Sequence, residues 1–310
     1  MAAQKANSNN LHSNAMIDAA VQVAKKVKAK AVLIYVDSLD DVGAVAEKVK
    51  KVTRLILVAR DEKDELRGKE HANKILRVPD LDLTRLAQIK MATLMAFSQR
   101  LLSPGEEFVF LVGIKGQSLD TLVTMTVGKE FEIFQTVDQP KLTEHVKRVV
   151  FQQVLTIALE LAQQGREGKP VGALLVVGDH KEVQKYCQQN IINPFRGYTE
   201  KERNILSDVI KETVKEFCTI DGAFVIKGNG VIVSAGTTLR PNISGEALPL
   251  ALGTRHSSAA AITASTRSIA ITLSESTGTV RVWRKGQMIT EIERAARTGP
   301  PGPPPAAESA

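Results

Sequence analysis

Three groups of residues have the chemical types that phosphate chemistry needs. Leu252-Gly253-Thr254-Arg255-His256-Ser257-Ser258 combines a glycine, three hydroxyls and two potentially cationic side chains, and the small-residue run Ala259-Ala260-Ala261 follows it. A loop of this kind at a helix start can seat an anion. The first backbone N–H groups of a helix lack internal partners, and the helix dipole is positive there. An arginine adds a planar fork of donors. The same residues also suit a plain helix start, with Thr254 or Ser257 as the N-cap. The second group is Asp221-Gly222-Ala223, an aspartate opening an apolar strand. Its carboxylate can bind a divalent cation or take a proton from a hydroxyl, and the glycine lets another group approach the backbone closely. A turn aspartate that only ends the link from the preceding helix is the alternative. The third is Glu275, a second carboxylate just before Thr277-Gly278, which also fits a solvated turn.

Other chemistries find less support. His12, His71, His145 and His180 stand in polar or helix-surface contexts, and no local Ser/His/Asp or Cys/His pattern surrounds them. Cys187 and Cys218 are the two cysteines, without a C-x-x-C or Cys/His cluster, so they read as reduced packing residues rather than a zinc site or a disulfide. The formal net charge is +7. It suits an anionic small ligand better than nucleic acid, because basic residues are interspersed with acidic ones, as in Glu200-Lys201-Glu202-Arg203, and form no stripe with aromatics. No apolar run reaches the ~20 residues of a membrane-spanning helix. The polar first residues lack a secretory pattern, so the expected location is cytoplasmic, with no membrane partner.

The elements that must position these groups come from periodicity. The 310 residues suit two domains, and 43% hydrophobic with only 4% aromatic residues means an aliphatic core. Residues 1–14 are expected to be a disordered lead-in. Apolar spacing predicts a helix over 15–29, a strand over 31–36, a helix over 42–49, a strand over 54–59, a short strand ending near Val78, and a long helix over 85–102 capped by Thr84. A strand follows over 108–112, and 119–127 suits either a helix or a strand. Alternation of this kind gives βαβ units and a mainly parallel sheet. No G-x-G-x-x-G or P-loop occurs there. Asp138-Gln139-Pro140 breaks the chain and marks the domain boundary.

Beyond it, a helix is predicted over 142–163, ended by Gly165, and a fully apolar strand over 172–178. One helical turn is expected over 183–187, a turn-rich loop over 193–198 and a helix over 204–217. A hairpin joins 219–227 to 231–235 through Gly228-Asn229-Gly230, and residues 236–241 leave it as a loop. A short helix over 259–266 and strands over 268–273 and 280–283 complete the domain. The tail, residues 294–310, carries Pro300-Pro301-Gly302-Pro303-Pro304-Pro305 and is expected to stay disordered.

Two resemblances emerge from these residues. The segments "AVQVAKKVKAKAVLIYVDS" and "LLSPGEEFVFLVG" look like parts of the pyruvate kinase C-terminal domain, which implies a fold for residues 15–138 and a regulatory or assembly role, not phosphotransfer. "GALLVVGD", "DGAFVIKGNGVIVSAGTTL", "LGTRHSSAAAIT" and "LSESTGTVRVW", in that order, resemble the diadenylate cyclase family, archaeal-type branch, over residues 141–293. The implied architecture is α/β throughout, an N-terminal mainly parallel α/β sandwich domain plus a C-terminal mixed-sheet cyclase domain.

The second resemblance implies an activity. Two ATP molecules face each other across a homo-oligomer of cyclase domains and condense to cyclic di-AMP and two pyrophosphates. Asp221 would hold a divalent metal, Mn²⁺ or Mg²⁺, and help activate the ribose 3′-hydroxyl. Gly222 and Ala223 would let the nucleotide approach. Leu239 would contact adenine or ribose. Thr254, Arg255, His256, Ser257 and Ser258 would hold the triphosphate, with Arg255 and His256 catalytic alongside Asp221. Glu275 would support the metal or the basic loop. This chain departs from the family pattern at Ser257, where many members carry a second arginine, and at Ile220, where many carry histidine. Those departures motivate the alternative of a catalytically weak nucleotide-sensing module.

Overall fold

The structure, a computed structural model, describes residues 2–72, 74–115, 117–127, 145–241 and 253–294, with side chains from residue 11 onward. The breaker Asp138-Gln139-Pro140, Leu252 and the proline-rich tail lie outside the described residues.

The N-terminal unit runs α1 (Ala2–Val27), β1 (Ala31–Tyr35), a 3₁₀ turn (Val36–Ser38), α2 (Val42–Lys50), β2 (Arg54–Ala59), α3 (Glu62–Lys69), β3 (Ile75–Arg77), α4 (Arg85–Ser98), β4 (Glu107–Gly113) and β5 (Leu119–Thr126). Its sheet has the order β3-β2-β1-β4-β5. The first four strands are parallel and β5 is antiparallel to β4. Each residue of β1 is buried, as the continuous apolar run requires of a strand covered on both faces. On one face Val32 and Ile34 pack with Ile17 and Ala20 of α1 and Val45 of α2. On the other Leu33 and Tyr35 pack with α4.

Two expectations are corrected here and one open alternative is settled. The segment expected to be a disordered lead-in is the first part of α1, and Ser13 fastens it by accepting the Leu119 amide at 3.0 Å. The ambiguous 119–127 stretch is a strand, half-buried at the sheet edge where its β-branched residues suit a pleat. Helix α3 was not expected, because Glu62–Lys69 has no apolar stripe. It is held by its cap, with Asp61 accepting the Asp64 amide at 2.7 Å, and by ion pairs such as Lys69–Glu65. Thr84 caps α4 as predicted, accepting from the Ala87 amide.

The C-terminal unit runs α5 (Arg148–Gln164), β6 (Ala173–Val177), α6 (His180–Gln184), β7 (Cys187–Gln189), α7 (Asp208–Phe217), β8 (Ala223–Ile226), β9 (Ile232–Leu239), α8 (Thr254–Ser265), β10 (Ile269–Leu273), β11 (Val280–Arg284) and β12 (Gln287–Ile292). Its sheet is mixed, in the order β12-β11-β10-β6-β8-β9-β7, with β6 and β8 parallel. Helix α5 covers one face with Val154, Ile157, Ala158 and Leu161. Helix α8 covers the other with Ala259, Ala260 and Ile262 against Val176, Val225 and Ala270.

Local differences have local causes. The loop expected over 236–241 is strand as far as Leu239, bulged at Gly236, whose φ is +65°. Strand β12 was not expected. It forms because Lys285 and Gly286, both at positive φ, close a two-residue hairpin after β11. Helices α5 and α7 start later than their apolar spacing suggested. Helix α8 starts earlier, at Thr254, with Gly253 as N-cap and no side-chain cap. Neither Thr254 nor Ser257 is therefore the cap.

Candidate active site

Arg255 is where the site converges. It lies in the first turn of α8, which no side chain caps, so the helix presents its amide end and dipole to whatever sits there. The Arg255 guanidinium reaches toward two carboxylates. Its Nη2 is 3.7 Å from Asp221 Oδ1 and its Nη1 is 3.4 Å from Glu275 Oε2. Asp221 precedes β8 and its side chain is 96% exposed. Glu275 comes from the turn between β10 and β11, closed by Gly278 at φ +68°. Three separate chain segments thus place one cation between two anions.

Two glycines make that convergence possible. Gly222 sits at φ +114°, and a Cβ there would lie 2.6 Å from the Gly236 carbonyl carbon and 2.7 Å from the Thr237 nitrogen. The Asp-Gly pair is therefore set by a backbone crossing against the bulge of β9. Gly172, just before β6, was read from the sequence only as part of a strand. A Cβ on it would lie 2.7 Å from Arg255 Cζ, so the guanidinium rests over bare backbone.

His256 is not the cation its type suggested. It is buried at 7% exposure, stacks edge-on against Trp283 at 6.1 Å, and has its Nε2 3.0 Å from Arg281 Nη1. Burial first, then the charges of Arg281 and Arg255, push its pKa down to about 4. The neutral ring accepts from Arg281 at Nε2 and carries its hydrogen on Nδ1.

A cleft of about 520 Å³ opens at this point, lined by Gly253, Thr254, Arg255, His256, Glu275 and Ser276. A second of about 330 Å³ lies beside it and shares Arg255 and Glu275, with Arg166, Lys169 and Cys218 on its far wall. Burial pushes the Cys218 thiol up to about 12, which excludes a thiolate nucleophile at neutral pH. Cys187 is pushed up to about 11 for the same reason.

The remaining predicted residues are placed less directly. Ala223 and Leu239 are buried together beneath α8. Ser257 and Ser258 are half-buried on α8 and line neither of these clefts. For a divalent cation, no group of three His, Cys, Asp or Glu side chains converges among the described residues. The exposed Asp221 carboxylate, beside Arg255, suits a cation that draws its other ligands from phosphate oxygens and water.

An α/β protein with a basic, uncapped helix start has the donors and positive charge that suit a phosphorylated ligand. Comparison with known proteins narrows this. Residues 160–288 match the family described as DisA bacterial checkpoint controller nucleotide-binding, and residues 12–136 match the probable sensor domain DacZ_P. A diadenylate cyclase of Methanocaldococcus jannaschii is 34% identical over 210 residues, covering 65% of this chain and 64% of that protein. A diadenylate cyclase of Haloferax volcanii is 37% identical over 204 residues, covering 65% of this chain and 73% of that protein. Among solved structures, DacA from Staphylococcus aureus matches 46% of this chain and 86% of its own at 23% identity, with a TM-score of 0.34. The chain belongs to the diadenylate cyclase family of nucleotidyltransferases.

Proposed function

We propose that this chain condenses two ATP molecules into cyclic di-AMP and two pyrophosphates, in the cytoplasm, at a site completed by a second copy of itself. The observation that carries the reading is the position of Arg255, in an uncapped helix start and between the Asp221 and Glu275 carboxylates. At 3.7 and 3.4 Å these ion pairs are long and partly exposed, so each is weak. Triphosphate oxygens offer Arg255 shorter, charge-assisted bonds, and the guanidinium can turn to them at little cost.

In the proposed reaction the ribose 3′-oxygen of one ATP bonds to the α-phosphorus of the other. The bond from that phosphorus to the bridging oxygen breaks, pyrophosphate leaves with the electron pair, and the 3′-hydroxyl proton is lost. Repeating the step in the opposite direction closes the ring. Arg255 and the α8 amide end neutralise charge on the phosphates, and Thr254 lies at the same mouth. Asp221 faces the position of the hydroxyl and takes part in its deprotonation. Glu275 holds Arg255 in register until ligand arrives. A bound Mn²⁺ or Mg²⁺, with Asp221 as its protein ligand, would supply further positive charge and acidify the hydroxyl.

The test is direct. Purified protein is incubated with ATP and either metal, and nucleotides are separated by ion-exchange chromatography. Cyclic di-AMP with two pyrophosphates per molecule is the expected result. Measurable ATP binding with no product under either metal would leave the nucleotide-sensing alternative that Ser257 and Ile220 raise.

A further inference from the structure

Strand pairing sets an unexpected arginine behind the phosphate seat. Arg281 lies on β11 directly opposite Glu291 of β12 and Thr272 of β10. Alternation along β11 puts Arg281 and Trp283 on the face that meets α8, while Val280 and Val282 face the other core. Arg281 Nε is 3.1 Å from Glu291 Oε2, and its Nη1 is 3.0 Å from His256 Nε2. Trp283 closes the other side of the imidazole, and its own indole donates to Thr272 Oγ1 at 3.0 Å.

We propose that Arg281, oriented by Glu291, is a positioning residue for the proposed nucleotide site: it locks the His256 ring and so fixes the first turn of α8 that carries Arg255. The inference rests on the cyclase reading and adds a residue to it. Arg281 is half-buried behind the helix and lines neither of the two clefts described, so it acts through His256. One guanidinium donates in two directions, to a carboxylate on β12 and to a ring on α8, a geometry that its planar fork allows and a lysine cannot fully reproduce.

The arrangement also sets a charge state. Among the described residues, the charged groups around His256 are Arg255 on its own helix, Arg281 on β11 with Glu291 behind it, and Glu275 across the cleft. With both arginines present the ring stays neutral through the working pH range. Without Arg281 one of the causes lowering its pKa is gone, but burial, the largest cause, still favours the neutral ring.

The test uses the full chain in three variants, with wild type assayed first. Arg281→Met is expected to raise the ATP KM about tenfold at neutral pH. That defect should persist between about pH 8 and about pH 5, because burial still keeps the His256 ring neutral. Arg281→Lys should recover only part of the loss, because one ammonium does not reach both partners as the fork does. A merely structural role would lower the folded fraction at an unchanged KM, and that outcome overturns the proposal. If Arg281→Met fails to melt cooperatively, Glu291→Gln decides: a KM raised about threefold at an unchanged melting temperature supports it, and a wild-type KM overturns it. A wild-type chain that makes no cyclic di-AMP fails the cyclase reading itself, whereas an active wild type with indifferent variants fails this inference alone.

Discussion

Arg255 occupies its place because the neighbouring backbone has no side chain there. Gly172 has ordinary backbone angles, so alanine fits its conformation, but the new methyl would stand 2.7 Å from Arg255 Cζ. Gly172→Ala should therefore displace the guanidinium without unfolding β6. We expect kcat/KM for ATP to fall by about tenfold to a hundredfold, with the melting temperature within a few degrees of wild type, measured by steady-state kinetics beside thermal denaturation. Wild-type kinetics would show that Arg255 does not need this seat. At the same scale, the sequence made Asp221, Gly222, Thr254, Arg255 and Glu275 visible, because each belongs to a short run whose types already suggest phosphate or metal chemistry. Gly172, Arg281 and Glu291 were not visible. Their roles depend on which strands pair, and an arginine two residues before a tryptophan says nothing of the histidine on another element. The neutral state of His256 was hidden for the same reason, since burial and a cross-element cation determine it.

Elements place these residues through backbone crossings more than through side-chain contacts. The start of β8 touches the β9 bulge at Gly222, whose φ of +114° disfavours any L side chain and whose Cβ position is filled by backbone atoms of Gly236 and Thr237. Backbone cannot move aside as a flexible side chain can, so Gly222→Ala should destabilise the cyclase unit by about 2 kcal/mol or more and detach Asp221 from its register. Chemical denaturation with an activity measurement reads both effects, and a stability change below about 0.5 kcal/mol would contradict the crossing. The alternating aliphatic runs made most strands and the long helices legible, including the buried β1, β2 and β6. What escaped has physical reasons. Helix α3 is stabilised by its cap and ion pairs rather than by an apolar face. Strand β12 depends on a Lys-Gly turn, and β9 continues past a glycine that ordinarily signals a loop. The amide end of α8 begins at the glycine itself, so no hydroxyl cap marks its start in the sequence.

At the scale of the molecule the two units share one core. The inward face of α4 packs β1 and β4 on one side, and its opposite side meets α5 and β12, so that each residue from Ala87 to Ser98 is buried. Links such as Arg148 to the Gln99 carbonyl and the bridge between Leu83 and Arg294 flank this helix. The proposed site is therefore carried by a core larger than its own domain, and the proposed chemistry also needs a partner copy. One chain offers one Arg255 and one Asp221, but cyclic di-AMP contains two phosphodiester bonds formed in opposite directions. If each Asp221 activates only the 3′-hydroxyl at its own half-site, Asp221→Asn should abolish product in a uniform assembly. Mixed with wild type, it should form pairs able to make one bond and release one pyrophosphate, leaving a linear dinucleotide that retains a 5′-triphosphate. Chromatography at early time points should find this species most abundant in mixtures and scarce with either protein alone. Wild-type activity that merely dilutes in proportion, with no linear dinucleotide at any ratio, would mean that a single chain holds a complete site, and the facing arrangement would be wrong.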